Sequence, residues 1–141
     1  MRVLDASMTL AWLFPRHDPT EAKLAELALD ELDNEEFVVP ALWYCEVANA
    51  ILRGERMGMI AAAQAIAFLG QLDAADIAVD PDSPKNRQSS VLAMARTYGL
   101  TAYDATYLEL ALRMGVSLAT FDRQLAEAVR KAGGQVFGDP V

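Results

Sequence analysis

Short apolar segments with strand character alternate along the chain with longer helical segments. The strand-like segments lie near residues 3, 37, 77, 117 and 136, and single helices or pairs of helices separate them. Such an order favours parallel strands joined by helical crossovers, with helices covering both faces of the sheet. The alternation therefore predicts an α/β fold of three layers, α/β/α, around a central and mainly parallel sheet.

Local start and stop signals define the helices between these strands. Asp18-Pro19-Thr20-Glu21 joins an N-cap to a proline at the first helical position, and it predicts a helix that runs to about Leu32. Glycines 54, 99 and 115 are expected to end three of the others. The remaining predicted helices cover residues from about 6 to 14, 41 to 53, 59 to 72, 87 to 98, 103 to 114 and 123 to 131.

Length and composition limit the kind of protein this chain can be. Its 141 residues, 53% of them hydrophobic, predict a single domain over residues 1–141. The longest uncharged run, Met57 to Leu72, includes Gln and Gly and is too short to cross a bilayer. The first five residues, Met-Arg-Val-Leu-Asp, lack the apolar core of a signal peptide. We therefore expect a cytoplasmic protein without a membrane span.

Several kinds of site are made improbable by the residue counts. Cys45 and His17 are each the only residue of their type, so a cysteine cage, an internal disulfide and a multi-histidine zinc site have little support. We expect Cys45 to be buried on a core helix and His17 to lie at the surface. The net charge of -8 argues against a broad basic face for nucleic acid. Contact with nucleic acid would have to depend on local charge or on metal ions.

Three aspartates are predicted to meet at one edge of the sheet. Asp5 and Asp122 each follow a predicted strand at its C-terminal end, and Asp104 lies in the first turn of a helix. Each acid alone is explained as well by a helix cap or by the helix dipole. Two carboxylates about 4 Å apart, however, repel by roughly 4 kcal/mol at an effective dielectric near 20, so a cluster binds protons or a cation. Oxygen ligands alone suit Mg²⁺ or Mn²⁺ and the hydrolysis of phosphodiester bonds.

Glu46 is not placed by its pattern. It shares a helical stripe with Asn49 and Arg53, whereas Val47 and Ile51 belong to the apolar face of the same helix. Helical periodicity alone leaves Glu46 in solvent.

Four motifs occur in order over almost the whole chain. They are Val-Leu-Asp5-Ala-Ser7, Glu46-Val-Ala-Asn49, Leu-Thr-Ala-Tyr-Asp104-Ala-Thr-Tyr-Leu and Leu-Ala-Thr120-Phe-Asp122. Together they resemble the PIN-domain ribonucleases, and more closely the VapC-type toxins of bacterial toxin-antitoxin pairs. The resemblance implies metal-binding roles for Asp5, Glu46, Asp104 and Asp122, with supporting roles for Ser7, Asn49 and Thr120. It also implies Mg²⁺ or Mn²⁺ as cofactor, RNA as substrate, a homodimer, and a small antitoxin that masks the site.

The sequence thus predicts a metal-dependent endoribonuclease, the toxin of a toxin-antitoxin pair, that cuts RNA at a site of four carboxylates. The alternative is a non-catalytic PIN-like module that binds RNA or a partner protein. A receiver-type signalling domain also pairs acids with Mg²⁺, but it needs two adjacent acids after the first strand and a late Lys-Pro, and this sequence has neither. The basic residues that could hold RNA are scattered: Arg16, Arg53, Arg56, Lys85, Arg87 and Arg123.

Overall fold

A four-stranded parallel sheet lies at the centre of the computed structural model, which describes residues 1–140. Its strands are β1 (Arg2–Leu4), β2 (Phe37–Val39), β3 (Ile77–Val79) and β4 (Ser117–Ala119), in the spatial order β3-β2-β1-β4. All three strand pairings are parallel. The helices of the described residues are α1 (Ala6–Leu10), α2 (Pro19–Glu31), α3 (Leu42–Arg56), α4 (Ala62–Ala74), α5 (Pro84–Tyr98), α6 (Ala102–Met114) and α7 (Arg123–Lys131). The predicted α/β architecture is confirmed.

Burial of the strands explains why the sheet is parallel and covered. Val3 and Leu4 of β1 are 0% exposed, and β2 and β4 are buried along their whole length. Continuous apolar strands of this kind need helices on both faces, which only crossover connections supply. Strand β3 lies at the edge of the sheet and is partly open to solvent.

The order of the strands fixes where a site can form. The chain steps outward from β1 to β2 and β3, and then crosses to the other side of β1 to form β4. The direction of winding therefore reverses between β1 and β4, and crevices for ligands form at such a point, beyond the carboxyl ends of the strands. Asp5 and Thr120 are the residues that follow these two strands.

The fifth predicted strand, Gln135 to Phe137, is reduced to one bridge. Val136 pairs with Leu118 of β4 in parallel, and the amide of Phe137 donates to the carbonyl of Leu118 at 2.9 Å. Gly133 and Gly138 have φ angles of 83° and 96°. These left-handed positions turn the chain on both sides of the bridge, so the pairing cannot extend.

Gly54 does not end its helix, contrary to the prediction, since α3 continues to Arg56. A Cβ atom on Gly54 would lie 2.5 Å from Cζ of Phe14, so the absent side chain makes room for this ring. Gly99 and Gly115 do end α5 and α6 as predicted, with φ angles of 64° and 66°.

Other helix boundaries differ from the predictions by a few residues. Helix α1 ends at Leu10 and is followed by turns, whereas the prediction carried it to Phe14. Helix α4 begins at Ala62 and not near residue 59, and α5 begins at Pro84 because Ser83 caps it. The predicted start of α2 is confirmed, with the Asp18 side chain accepting from the amide of Glu21 at 2.9 Å.

Cys45 is exposed, which contradicts the expectation that it is buried. Helix α3 buries Trp43, Val47 and Ile51, which recur every four residues, and Cys45 lies off that stripe. His17 is exposed, as expected.

No helix within residues 1–140 combines the length and the apolar character needed to cross a membrane.

Candidate metal centre

Asp5 is the most deeply buried acid of the site, at 4% exposure. Its Oδ1 accepts hydrogen bonds from the Ser7 hydroxyl at 2.7 Å and from the amide of Met8 at 2.9 Å. Its Oδ2 accepts from the Thr120 hydroxyl. Burial raises the pKa of Asp5 from 3.8 to about 6 although these three hydrogen bonds lower it, and the negative charge of Asp122 raises it further. Asp5 is the N-cap of α1 through its bond with the Met8 amide. The bond from Thr120 is not part of this cap and joins Asp5 to the end of β4.

The hydroxyls of Ser7 and Thr120 join the ends of β1 and β4. Ser7 Oγ accepts from the amide of Phe121 at 2.8 Å, and Thr120 Oγ1 accepts from the amide of Asp122 at 2.9 Å. Each hydroxyl thus donates to Asp5 and accepts from the segment that leads into α7. This network fixes the position of Asp5 relative to Asp122, and it brings together two of the three residues predicted to support the site.

Asp104 and Asp122 lie at the N-termini of two helices. Asp122 caps α7, where its Oδ1 accepts from the amide of Leu125 at 2.8 Å. Asp104 lies in the first turn of α6, which Thr101 caps. Burial and the nearby charge of Asp122 raise the pKa of Asp104, with a smaller opposing effect from the bond to Thr101. The two carboxylates therefore influence each other at the same edge of the sheet.

Glu46 reaches this edge from α3. It is half-buried, and its Oε1 accepts a hydrogen bond from the Tyr107 hydroxyl at 2.5 Å. Burial raises the pKa of Glu46, the bond to Tyr107 lowers it, and the charge of Asp104 raises it. Electrostatic repulsion thus links the four acids in the order Asp5, Asp122, Asp104 and Glu46.

Asn49 is the predicted supporting residue that the structure leaves apart. It is exposed one turn beyond Glu46 on α3, and its side chain forms no hydrogen bond within residues 1–140. A supporting role for Asn49 stays a prediction.

Tyr107 is a residue of this site that the sequence patterns did not single out. It is 2% exposed and lies three residues after Asp104 on α6, close to the same helical stripe. The sequence signal that could have indicated it is its position three residues after Asp104 on the same helix. A tyrosine among apolar neighbours is, however, most simply interpreted as core, and nothing in the sequence connects it with Glu46.

A second charged cluster was also missed, at the carboxyl end of β3. Glu109 of α6 is 4% exposed and accepts from Arg113 Nε at 2.8 Å, while Arg113 Nη2 contacts Asp80 Oδ2 at 2.5 Å. Arg87 lies 2.8 Å from Asp82 and 3.6 Å from Glu109. Arg87 is therefore paired with two acids, of which Glu109 is buried. This cluster borders a cavity of about 230 Å³ between α3, α5 and α6.

The donor atoms at the four-acid edge fit a hard divalent cation. All of them are oxygens, and the only cysteine and the only histidine of the chain are not among them. Within residues 1–140, no three Asp, Glu, His or Cys side chains lie close enough to form a complete metal site as they stand. Mg²⁺ keeps several of its waters and takes one or two carboxylates directly, so it does not require a closed cage.

The parallel sheet, with acids collected where its winding reverses, defines a class of α/β proteins whose ligands bind at the carboxyl ends of the strands. Within that class, the chain belongs to the PIN domain family, whose sequence model matches residues 2–131.

Known proteins of similar sequence and structure agree with this family. Ribonuclease VapC3 of Pyrobaculum aerophilum is 32% identical over 125 residues, which are 89% of this chain and 92% of that protein. The crystal structure of PAE2754 from the same organism matches with a TM-score of 0.69 and 26% identity, over 90% of this chain and 83% of that one. FitAcB from Neisseria gonorrhoeae matches with a TM-score of 0.61 and 20% identity, over 98% and 97% of the two chains, and this likeness concerns the fold alone.

Proposed function

We propose that this chain is a metal-dependent endoribonuclease and the toxin of a toxin-antitoxin pair. In this proposal Asp5, Glu46, Asp104 and Asp122 bind Mg²⁺ or Mn²⁺. The observation that carries it is the meeting of Asp5 and Asp122 where β1 and β4 end side by side, with Asp104 and Glu46 near enough to act on this group electrostatically. Burial at this edge raises the pKa of Asp5, Glu46 and Asp104. A divalent cation would reduce the repulsion between these partly buried carboxylates. Carboxylates whose pKa is raised by burial and by neighbouring charge are typical of functional sites.

The residues of the chain would prepare the site for the cation and for the phosphate. Ser7 and Thr120 hold Asp5 in one orientation, and Leu125 holds Asp122 through its amide. A bound cation would supply the positive charge that activates water and stabilises the phosphodiester as it is cleaved. Thr101 fixes the first turn of α6, on which Asp104 is carried. Asp5 and Asp122 are therefore oriented before any ligand arrives.

Local positive charge beside the acids supports RNA as the substrate. The guanidinium of Arg16 lies 4.4 Å from the ring centroid of Phe121, the residue before Asp122. Arg16 also contacts Glu21 at 3.1 Å, so its position is fixed on both sides. Such a cation can contact a phosphate next to the metal even though the protein carries a net charge of -8.

The relationship to Ribonuclease VapC3 supports both the ribonuclease and the toxin parts of the proposal. An antitoxin needs a surface to bind, and Met57, Met59 and Ile66 expose 68%, 58% and 72% of their area near the end of α3 and on α4. Exposed apolar residues of this kind mark protein interfaces. We propose the antitoxin and a second copy of this chain as the partners, in the cytoplasm.

The second candidate is a non-catalytic module that binds RNA or a protein. One observation favours it, namely that within residues 1–140 no three metal-ligand side chains are close enough for a ready-made site. The raised pKa values of the acids favour the enzyme, because a binding module has no need for buried and mutually repelling carboxylates.

Cleavage of RNA by the purified chain tests the proposal. We expect cleavage with Mg²⁺ or Mn²⁺, none with a chelator, and a loss of at least about 100-fold in Asp104→Asn, as for removal of a group that stabilises charge in the transition state. Asp73→Asn changes an exposed acid of α4 and is the control. Undiminished cleavage by Asp104→Asn would reject the site.

The toxin part has a separate test in cells. Expression of the chain alone should arrest growth, and co-expression with the small reading frame beside its gene should restore it. Growth that is unaffected by the chain, while the purified protein still cuts RNA, would retain the enzyme and reject the toxin.

A further inference from the structure

Glu46 differs from Asp5 and Asp122 in how it is held. Asp5 receives three hydrogen bonds, and Asp122 is fixed as a helix cap. Glu46 projects from the second turn of α3 on a longer and more flexible side chain. Within residues 1–140, the only hydrogen bond to its carboxylate comes from the hydroxyl of Tyr107. Holding such a side chain in one rotamer has an entropic cost that this contact must offset.

Tyr107 is well suited to hold the Glu46 carboxylate from the core side. Its ring is buried in the core, and its hydroxyl meets Glu46 Oε1 at 2.5 Å across 61 positions of sequence. A tyrosine hydroxyl is protonated at neutral pH, so it can donate this hydrogen bond to the Glu46 carboxylate.

We propose that Tyr107 is the positioning residue that fixes Glu46 in the metal centre, holding Oε1 and leaving Oε2 for the cation. The inference rests on the proposed function and adds a residue to it. Asp104 and Tyr107 belong to adjacent turns of α6, so one helix supplies an acid and also positions the acid contributed by α3. A hydrogen-bond donor behind a metal ligand typically changes metal affinity or activity by about 10-fold to 100-fold.

The variant Tyr107→Phe tests this role, because it removes the hydroxyl and keeps the ring. We expect Mn²⁺ to bind at least about 10-fold more weakly, measured by calorimetry and by the rise in melting temperature that Mn²⁺ causes in each variant. Cleavage of RNA should fall at low Mn²⁺ and recover at high Mn²⁺. A purely structural role would lower the metal-free melting temperature and would not be rescued by the ion.

Two further variants make the result specific. Tyr103→Phe removes a hydroxyl from an exposed tyrosine of the same helix and should leave Mn²⁺ affinity unchanged. In the background of Glu46→Ala, Tyr107→Phe should have no further effect on Mn²⁺ binding, since the two changes act through one carboxylate.

The outcomes separate this inference from the function on which it rests. If the wild-type chain neither binds Mn²⁺ nor cuts RNA, the proposed function fails. If the wild type does both and Tyr107→Phe binds Mn²⁺ as tightly, or weakens binding equally with and without Glu46, the positioning role of Tyr107 is overturned.

Discussion

Asp5 and Thr120 are 115 positions apart in sequence, and the Thr120 hydroxyl donates a hydrogen bond to the Asp5 carboxylate at the carboxyl ends of two adjacent strands. The backbone continues the same contact, since the amide of Asp5 donates to the carbonyl of Ala119 at 3.2 Å. Both side chains are buried, at 4% and 5% exposure. The contact joins the first and the last strand of the sheet at the place where the acids meet.

Replacing Thr120 with Val should weaken the protein and its metal site, because the shape is kept while a buried carboxylate loses a donor. We expect the free energy of unfolding to fall by about 1–3 kcal/mol, the usual effect of leaving a buried polar group with one partner fewer. Urea unfolding of the metal-free protein measures this. Thr120→Ser retains the hydroxyl, so its free energy of unfolding should fall clearly less than that of Thr120→Val. Equal decreases in the two variants would contradict the assigned role of the hydroxyl.

The contribution of Asp5 to the stability of the metal-free protein should increase as the pH falls from about 7 towards 4. The pKa of Asp5 is 3.8 ordinarily and about 6 in the folded chain, mainly because of burial. Between these values the folded chain binds more protons than the unfolded chain, so its free energy of unfolding decreases as the pH rises. Asp5 therefore makes its full contribution to the free energy of unfolding below about pH 3.8, and this contribution disappears as the pH rises past about 6. Its full size is roughly 3 kcal/mol.

Urea unfolding across this range of pH, in the presence of a chelator, provides the measurement. Glu35 and Asp139 have lowered pKa values and act in the opposite direction, so the wild type alone gives a mixed result. The difference between the wild type and Asp5→Asn isolates the one group. A difference that does not change with pH would show that Asp5 is not perturbed by burial.

Loss of Arg113 should destabilise the fold strongly. Arg113→Met leaves Glu109, at 4% exposure, with Arg87 at 3.6 Å as its remaining cation, and it also removes the contact with Asp80. Because the buried Glu109 carboxylate then keeps only this longer contact, we expect a loss of about 3 kcal/mol in the free energy of unfolding.

A matched pair on the surface controls for charge and spacing. Lys131 and Glu127 are also four residues apart on a helix, with atoms 3.1 Å apart, but they are 67% and 64% exposed. Lys131→Met should therefore change stability by no more than about 0.5 kcal/mol. Similar losses in the two variants would contradict the importance of burial for the Arg113 pair.

Gly54 should not tolerate alanine, although it lies inside a helix. The added Cβ would meet the Phe14 ring at 2.5 Å, so the ring would have to move. We expect Gly54→Ala to lower the free energy of unfolding by about 1–3 kcal/mol, as in other overpacked sites.

Gly70 provides the opposite case on another helix. It lies within α4, and nothing is found within 4 Å of its ideal Cβ position. Gly70→Ala should therefore stabilise the protein by about 0.5–1 kcal/mol through helix propensity. Thermal unfolding of both variants measures these changes. A higher melting temperature for Gly54→Ala than for the wild type would show that the Phe14 ring can move aside without cost.

Some of the site could be predicted from single segments. Asp5 and Asp122 follow apolar strands, so their location at one edge depends only on strand type and on the direction of a parallel sheet. Asp104 follows from the start of its helix. Glu46 was placed with them by the resemblance of its motif alone, because its own stripe gave no reason to turn it away from solvent.

The sequence by itself determined the alternation of strands and helices, the cap at Asp18 and the left-handed ends at Gly99 and Gly115. These features depend on backbone angles and on neighbours within a few residues, which the local sequence specifies. Only the tertiary structure decided that Tyr107 meets Glu46, that Gly54 makes room for Phe14 and that Glu109 is buried against Arg113. The first two contacts join elements far apart in sequence, and the burial of Glu109 depends on how α6 packs against α5 and the sheet. Helix packing sets such relations, and no pattern within one helix contains them.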